Sequence, residues 1–270
     1  MQNGLTMSAV AEGVGEVLAD GALRLRQWGR ALVDVVLPPT ALDGRQAGPV
    51  QTRGLTAEAW TRLRFIETPV CDGCGAPAEF KAGEAARCPA CLARRRAFDR
   101  ARAAVIYDDT SRDLILKLKR ADRTELAGLF ALWLARAARD LIEDADAVVP
   151  APLHPYRLVA RRFNQAAEIA RPLARRAGLA YLPGAVVRRR DTPSQAGRSG
   201  GGRRRNMAGA FAAPKRMWPK VEGRRILLVD DVLTTGATAE ACARVLRAAG
   251  ASCVHVATVA RVHDRNAGPI

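Results

Sequence analysis

Residues 226–238 read Ile226-Leu227-Leu228-Val229-Asp230-Asp231-Val232-Leu233-Thr234-Thr235-Gly236-Ala237-Thr238. Four consecutive apolar residues open the stretch. They predict a strand buried on both faces, hence one belonging to a parallel sheet. A helical pattern follows from Ala237 to Ala249 and stops at Gly250. Between the two lies a short loop of threonine and glycine. Amide N–H groups in such a loop converge on one point, and the helix dipole adds positive potential there, which makes a phosphate cradle. Gly236 lets the backbone approach a ligand closely. The hydroxyls of Thr234, Thr235 and Thr238 add donors. This is not a Walker loop, because no Gly-Lys-Ser/Thr is present. Asp230 and Asp231 fall at the carboxyl end of the strand, where ligands bind in open α/β sheets. Adjacent carboxylates repel, so a cation or a set of hydroxyls has to compensate them. A ribose diol, with Mg²⁺ on attached phosphates, would do so. The competing reading is a surface acid pair capping a helix; the order of strand, acids, glycine and helix favours the ligand site.

Six cysteines occur. Cys242 and Cys253 stand alone in apolar surroundings and are read as core residues. Cys71-Asp72-Gly73-Cys74 and Cys88-Pro89-Ala90-Cys91 form a doubled CxxC pattern, with Gly75 placed for the unusual backbone of such a turn. Two of these turns brought together give four sulfurs around one point, which suits structural zinc and leaves no coordination position open for catalysis. Two disulfides or four reduced core thiols are the alternatives, and a reducing compartment disfavours the disulfides. Upstream, Ala41/Gly44 and Thr56/Ala59 repeat the three-residue step of the cysteines without ligand side chains, and Thr56–Phe65 parallels Cys88–Phe98.

The 270 residues, 49% hydrophobic and 26% charged, predict about two folded domains and argue against wholesale disorder. No run of 18 apolar residues predicts a transmembrane helix. The first ten residues carry no positive charge and lead into Glu12, Glu16 and Asp20, which is no secretory signal, so a cytoplasmic protein without membrane partners is expected. The net charge is +16, and residues 1–60 hold five Arg against six acids, so the whole excess lies downstream. An anionic partner accounts for it, and so does the codon bias of an Arg-rich, Lys-poor chain.

Leu227–Thr238 resembles the motif that binds 5-phosphoribosyl 1-pyrophosphate (PRPP) in type I phosphoribosyltransferases. With the cysteine turns upstream, residues 31–264 resemble the ComF family, a double zinc ribbon followed by a phosphoribosyltransferase domain. The resemblance implies an α/β fold with a mainly parallel sheet flanked by helices. It implies that Thr234, Thr235, Gly236, Ala237 and Thr238 hold the 5′-phosphate, that Asp230 and Asp231 face the ribose hydroxyls, and that Mg²⁺ accompanies PRPP. Val148-Val149-Pro150-Ala151-Pro152-Leu153-His154 falls where the family's pyrophosphate loop would be, which assigns Ala151, Pro152, Leu153 and His154 to it. Asp191–Gln195 and Arg203–Phe211 resemble the flexible loop, with Gln195, Arg203 and Asn206 as its binding residues. Residues 188–205 hold seven Arg and one Asp, suited to a pyrophosphate leaving group and equally to a solvated Arg/Gly stretch. Two departures stand out. Four of the family's eight cysteines are absent, with Ala41, Gly44, Thr56 and Ala59 in their places. Arg162 stands where the family has Gly before Phe163-Asn164-Gln165. Purine-salvage members carry an Asp where this chain has Thr234, which weakens that reading. Relatives in the family are associated with DNA uptake, so single-stranded DNA or uptake machinery is a candidate partner.

The remaining features fill in the organisation. We expect an N-terminal helical arm at 1–36, a zinc-ribbon module at 37–98 whose first ribbon is degenerate, a phosphoribosyltransferase domain at 99–264 and a tail at 265–270. Strands are expected near 103–107, 146–150, 185–188, 225–230 and 253–260, and helices near 111–142, 156–178 and 237–249. Lys117, Lys119 and Arg120 either reach the phosphates or form a solvated helix face, and the solvated face is the favoured reading. His255 and His263 read as structural.

Overall fold

The apolar run that opens the motif is the central strand of a five-stranded sheet. The computed structural model describes residues 41–43, 51–52, 54–78, 86–120, 123–154, 156, 158–159, 162–189 and 209–263. The N-terminal arm, most of the Arg-rich loop 188–205 and the tail lie outside these residues. So do Gln195, Arg203 and Asn206.

Two compact units are present, Met1–Ala57 and Glu58–Ile270. In the first, strands β1 (Gln51–Thr52) and β2 (Leu55–Thr56) form an antiparallel hairpin turned at Gly54, whose φ is +89°. The Thr56 hydroxyl donates to the Asp43 carboxylate, and the Leu42 N–H donates to the Gly54 carbonyl at 2.6 Å. These two hydrogen bonds tie the hairpin to Leu42 and Asp43.

The second unit runs α1 (Ala57–Arg62), α2 (Pro89–Ala93), β3 (Ala101–Ile106), α3 (Asp109–Lys119), α4 (Leu126–Ala137), α5 (Arg139–Glu143), β4 (Ala147–Pro150), α6 (Gln165–Ala177), β5 (Ala180–Tyr181), β6 (Val187–Arg188), β7 (Phe211–Ala212), α7 (Trp218–Val221), β8 (Arg225–Leu233), α8 (Ala237–Ala248) and β9 (Cys253–Arg261). The main sheet has the order β3-β9-β8-β4-β5, and every pairing in it is parallel. Alternation along β8 divides its side chains between two faces. Ile226 and Leu228 join Cys242 and Leu246 of α8 in one core cluster. On the other face α4 and α6 pack together over the sheet.

Several expected boundaries move. The single helix near 111–142 is three helices, broken after Lys119 and at Ala138. The helix near 156–178 begins only at Gln165, where the Asn164 side chain accepts the Ala166 N–H at 3.1 Å and caps it. The strand at 185–188 is a two-residue ladder with Phe211–Ala212 outside the main sheet, and β5 takes the sheet edge in its place. Cys242 is fully buried as expected, but Cys253 is only partly buried and its thiol donates to Asp99 at 3.2 Å. Among the described residues no helix is long and apolar enough to cross a membrane.

Candidate functional site at the carboxyl edge of the sheet

β4 and β8 are neighbours, and the chain leaves them in opposite directions. After β4 it crosses by α6 to β5 on one side; after β8 it crosses by α8 to β9 on the other. Their carboxyl ends therefore flank the switch point of the sheet, the place where open α/β folds leave a crevice for ligands. The turn after β8 holds residues 234–236 and leads into α8. The turn after β4 holds Ala151–His154, and the Ala151 N–H extends the ladder by donating to Val229 at 2.8 Å. The Asn164 side-chain amide donates to the Ala151 carbonyl at 3.0 Å, which ties that turn to the start of α6. His154 is buried, and its ring lies 5.4 Å from that of Tyr156.

Gly236 caps α8 with φ +80°, a conformation that L side chains rarely adopt. Because the chain enters the helix this way, the amides of Thr235, Gly236, Ala237, Thr238 and Ala239 meet no acceptor among the described residues. The first acceptor-bound amide of this helix is that of Glu240, which donates to the Gly236 carbonyl at 2.8 Å.

The acid pair is asymmetric. Asp231, 7% exposed, receives the Lys119 ammonium at 2.6 Å and the Gln165 amide at 3.2 Å. Asp230 turns to the α8 face, and its carboxylate accepts the N–H of Asp231 at 2.8 Å. Burial first, then the neighbouring Asp231 charge, push the Asp230 carboxyl up to about 7. Lys119 thus supplies the compensating cation that adjacent carboxylates require. Its assignment to a solvated face is corrected: Lys117 does sit there, paired with Asp113 at 2.7 Å, while Lys119 turns inward from the last turn of α3.

Cys71, Cys74, Cys88 and Cys91 bring their four sulfurs within 4.8 Å of one another. The Cys74 and Cys88 sulfurs are 3.7 Å apart, and the Cys88 N–H donates to the Cys71 sulfur at 3.1 Å. The Cys74 and Cys91 thiols and backbone N–H groups together push the Cys71 thiol below its usual range. Donor set and spacing fit a tetrahedral metal such as zinc. Gly75 closes the first turn at φ +68°, and a Cβ there would lie 2.6 Å from the Ala101 carbonyl oxygen, so the glycine read from sequence is obligatory. Asp72 anchors the turn to β3. Burial pushes its carboxyl up, but Arg102 and Arg100, at 2.9 and 2.7 Å, hold it below the usual range. A groove of about 700 Å³ runs beside this contact, away from the carboxyl edge.

The fold gives roles to Gln165, Arg96 and Glu240, to which no sequence pattern assigned one, and it fixes the settings of Lys119, His255 and Arg162. Lys119 and Gln165 hold Asp231. Arg96 donates to the Thr235 carbonyl at 3.0 Å and to Glu240 at 2.9 Å. His255 behaves as a structural histidine, buried and 2.7 Å from Asp144. Arg162 adopts φ +63°, so an arginine occupies glycine geometry.

A family model described as the phosphoribosyl transferase domain matches residues 164–269. Competence protein F of Haemophilus influenzae is 30% identical over 200 residues, which cover 72% of this chain and 85% of that protein. DNA utilization protein YhgH of Escherichia coli is 32% identical over 201 residues, covering 73% and 86%. Among solved structures, adenine phosphoribosyltransferase from Thermoanaerobacter pseudethanolicus is 17% identical, with a TM-score of 0.32 over 55% of this chain and 86% of that one. Sequence kinship with the first two runs through most of both partners, and it coincides with a parallel α/β sheet carrying the phosphoribosyltransferase match. The chain belongs to the ComF family and has a type I phosphoribosyltransferase fold.

Proposed function

We propose that this protein binds PRPP with Mg²⁺ in the crevice between β4 and β8, and that it can transfer the phosphoribosyl group. The observation that carries this reading is the row of acceptor-free amides at 235–239 beside a buried carboxylate already held by a lysine. These amides, with the hydroxyls of Thr234, Thr235 and Thr238, suit a terminal phosphate dianion. Asp231, oriented by Lys119 and Gln165, is placed to accept from a sugar hydroxyl. Asp230 stands beside it, and the turn Ala151–His154 faces the pyrophosphate end. A magnesium ion bound with the ligand would supply positive charge against the pyrophosphate and the acid pair. Transfer would break the bond from ribose C1 to pyrophosphate and form one to an acceptor, with positioning and charge stabilisation carrying catalysis. The four-cysteine cluster holds structural zinc on this reading. Calorimetry with Mg·PRPP tests the proposal: millimolar ligand without heat would end it.

A second reading has its own support. The two relatives are named for competence and for DNA utilization, and this chain carries a net charge of +16. On that reading the protein handles single-stranded DNA, with PRPP as a regulatory ligand. A gel shift against salt concentration separates the two: phosphate-driven binding gives a steep negative slope, and a flat plot refutes it.

A further inference from the structure

Glu240 lies in the first turn of α8, the helix whose amino terminus forms the phosphate cradle, and it is only 1% exposed. A buried anion costs several kcal/mol unless it is paired, and here three guanidiniums converge on it. Arg94 binds one carboxylate oxygen, Arg96 shares that oxygen at 2.9 Å, and Arg244 of the same helix reaches the other at 3.6 Å. Arg94 and Arg96 follow directly on α2, the short helix that carries Cys91. Arg96 also donates to the carbonyl of Thr235 inside the turn, and its guanidinium would lie 3.5 Å from a Cβ at Gly236. Its Nε is buried and meets no acceptor among the described residues. The Arg94 N–H closes α2 by donating to the Ala90 carbonyl at 3.2 Å, so the helix that carries Cys91 and the two arginines that hold Glu240 and Thr235 share one continuous, hydrogen-bonded backbone. A metal held by the four cysteines would fix α2 through Cys88 and Cys91, and with it the start of the segment that carries both arginines.

We propose that Arg96 is a positioning residue that carries the state of the four-cysteine cluster to the phosphate-binding turn, so that metal loss loosens residues 234–238 and weakens sugar-phosphate binding. The effect on ligand rests on the PRPP reading; the coupling between cluster and turn does not.

The test uses the full-length protein, zinc-loaded, and Arg96→Met, which keeps the aliphatic stem and removes every donor. Zinc per chain is measured first, and the variant is expected to retain it. Hydrogen exchange followed by mass spectrometry then reads the peptide spanning 236–244, whose first acceptor-bound amide is that of Glu240 on the Gly236 carbonyl of the turn, with 226–229 as the internal measure of global unfolding. The turn peptide should exchange about tenfold faster in Arg96→Met, while 226–229 stays unchanged. Chelating zinc from the wild type should accelerate the same peptide, and chelating it from Arg96→Met should add little. Mg·PRPP affinity, by calorimetry, should fall about tenfold in the variant. Equal exchange of the turn in wild type and variant, both zinc-loaded, overturns the coupling. So does an undiminished response to chelation in Arg96→Met. If the wild type binds no PRPP while the exchange pattern holds, the ligand assignment fails and the coupling stands. Glu240→Gln is the second variant: it keeps an acceptor for Arg96 and should loosen the turn less than Arg96→Met. A larger effect would place the role in Glu240 alone.

Discussion

Asp230→Asn should stabilise the protein at alkaline pH and do nothing of the kind in acid. In the fold, burial and the adjacent Asp231 hold the Asp230 carboxyl at about 7, against an ordinary value of 3.8. The folded state therefore keeps a proton that the unfolded chain has already released, and stability falls as pH rises from about 4 to about 7 and then levels off. A displacement of that size corresponds to about 4 kcal/mol. Asp230 is partly open to solvent, and screening brings the expected figure down to about 2 kcal/mol. Asparagine removes the charge and keeps an oxygen for the N–H of Asp231, now 2.8 Å away. At pH 8.5 the variant should melt about 4–8 °C above the wild type, using the usual conversion for a domain of this size. At pH 4 the two curves should meet. Thermal unfolding at half-unit pH steps is the assay, with Mg·PRPP calorimetry in parallel, where the variant should bind more weakly. Such a pairing of higher stability with poorer binding marks a site kept under electrostatic strain for its ligand. A difference in melting temperature that does not change with pH, or a variant less stable than wild type at pH 8.5, would refute the account.

Three other outcomes follow from single contacts. Lys119→Met strips the cation from buried Asp231 and should cost about 3 kcal/mol, read by chemical denaturation at pH 8, with PRPP binding lost alongside. Gly75→Ala sets a Cβ against the Ala101 carbonyl at positive φ and should cost about 2 kcal/mol or more, together with zinc retention measured by elemental analysis; an unchanged melting temperature would contradict the geometry. Arg162→Asn places a residue tolerant of φ +63° where arginine now sits, and should raise stability by about 0.5–1 kcal/mol in denaturant titrations.

The parts of the fold legible in the sequence are those whose physical cause is local. Ile226–Val229 is apolar on both faces, Gly236 and Gly250 bracket α8, and Cys253–Arg261 is apolar along its length, so β8, α8 and β9 lie within a few residues of their expected places. The break between α4 and α5 falls at Ala138, a good helix former within a continuing helical pattern, where nothing in composition marks a stop. Two-residue ladders such as β5 and β6 carry too few residues for any alternation to register. The doubled cysteine spacing was legible because two CxxC turns suffice to bring four sulfurs together, as they do here. Lys119 was misread because a Lys117-Leu118-Lys119-Arg120 run resembles a solvated helix edge, and only the packing of Leu114, Ile115 and Leu118 decides which lysine turns inward.

The pairing of Arg96 with Glu240 spans 144 residues, and no local pattern could have found it. Yet the sequence did pose the question. Glu240 sits in the first turn of a helix read as an anion site, where its own charge would repel the phosphate that the turn is built to hold. An acid in that position is tolerable only if a cation neutralises it, and burial makes the demand absolute, since burial alone would drive the carboxyl up and Arg96 and Arg94 reverse it. The candidates were few, because the neutralising group had to come from an element delivered to the same end of the sheet. Arg94 and Arg96, immediately after the last cysteine of the second turn, are such an element. A charge that contradicts the function of its own helix is thus itself a signal, and it directs attention to whichever distant segment carries the matching charge.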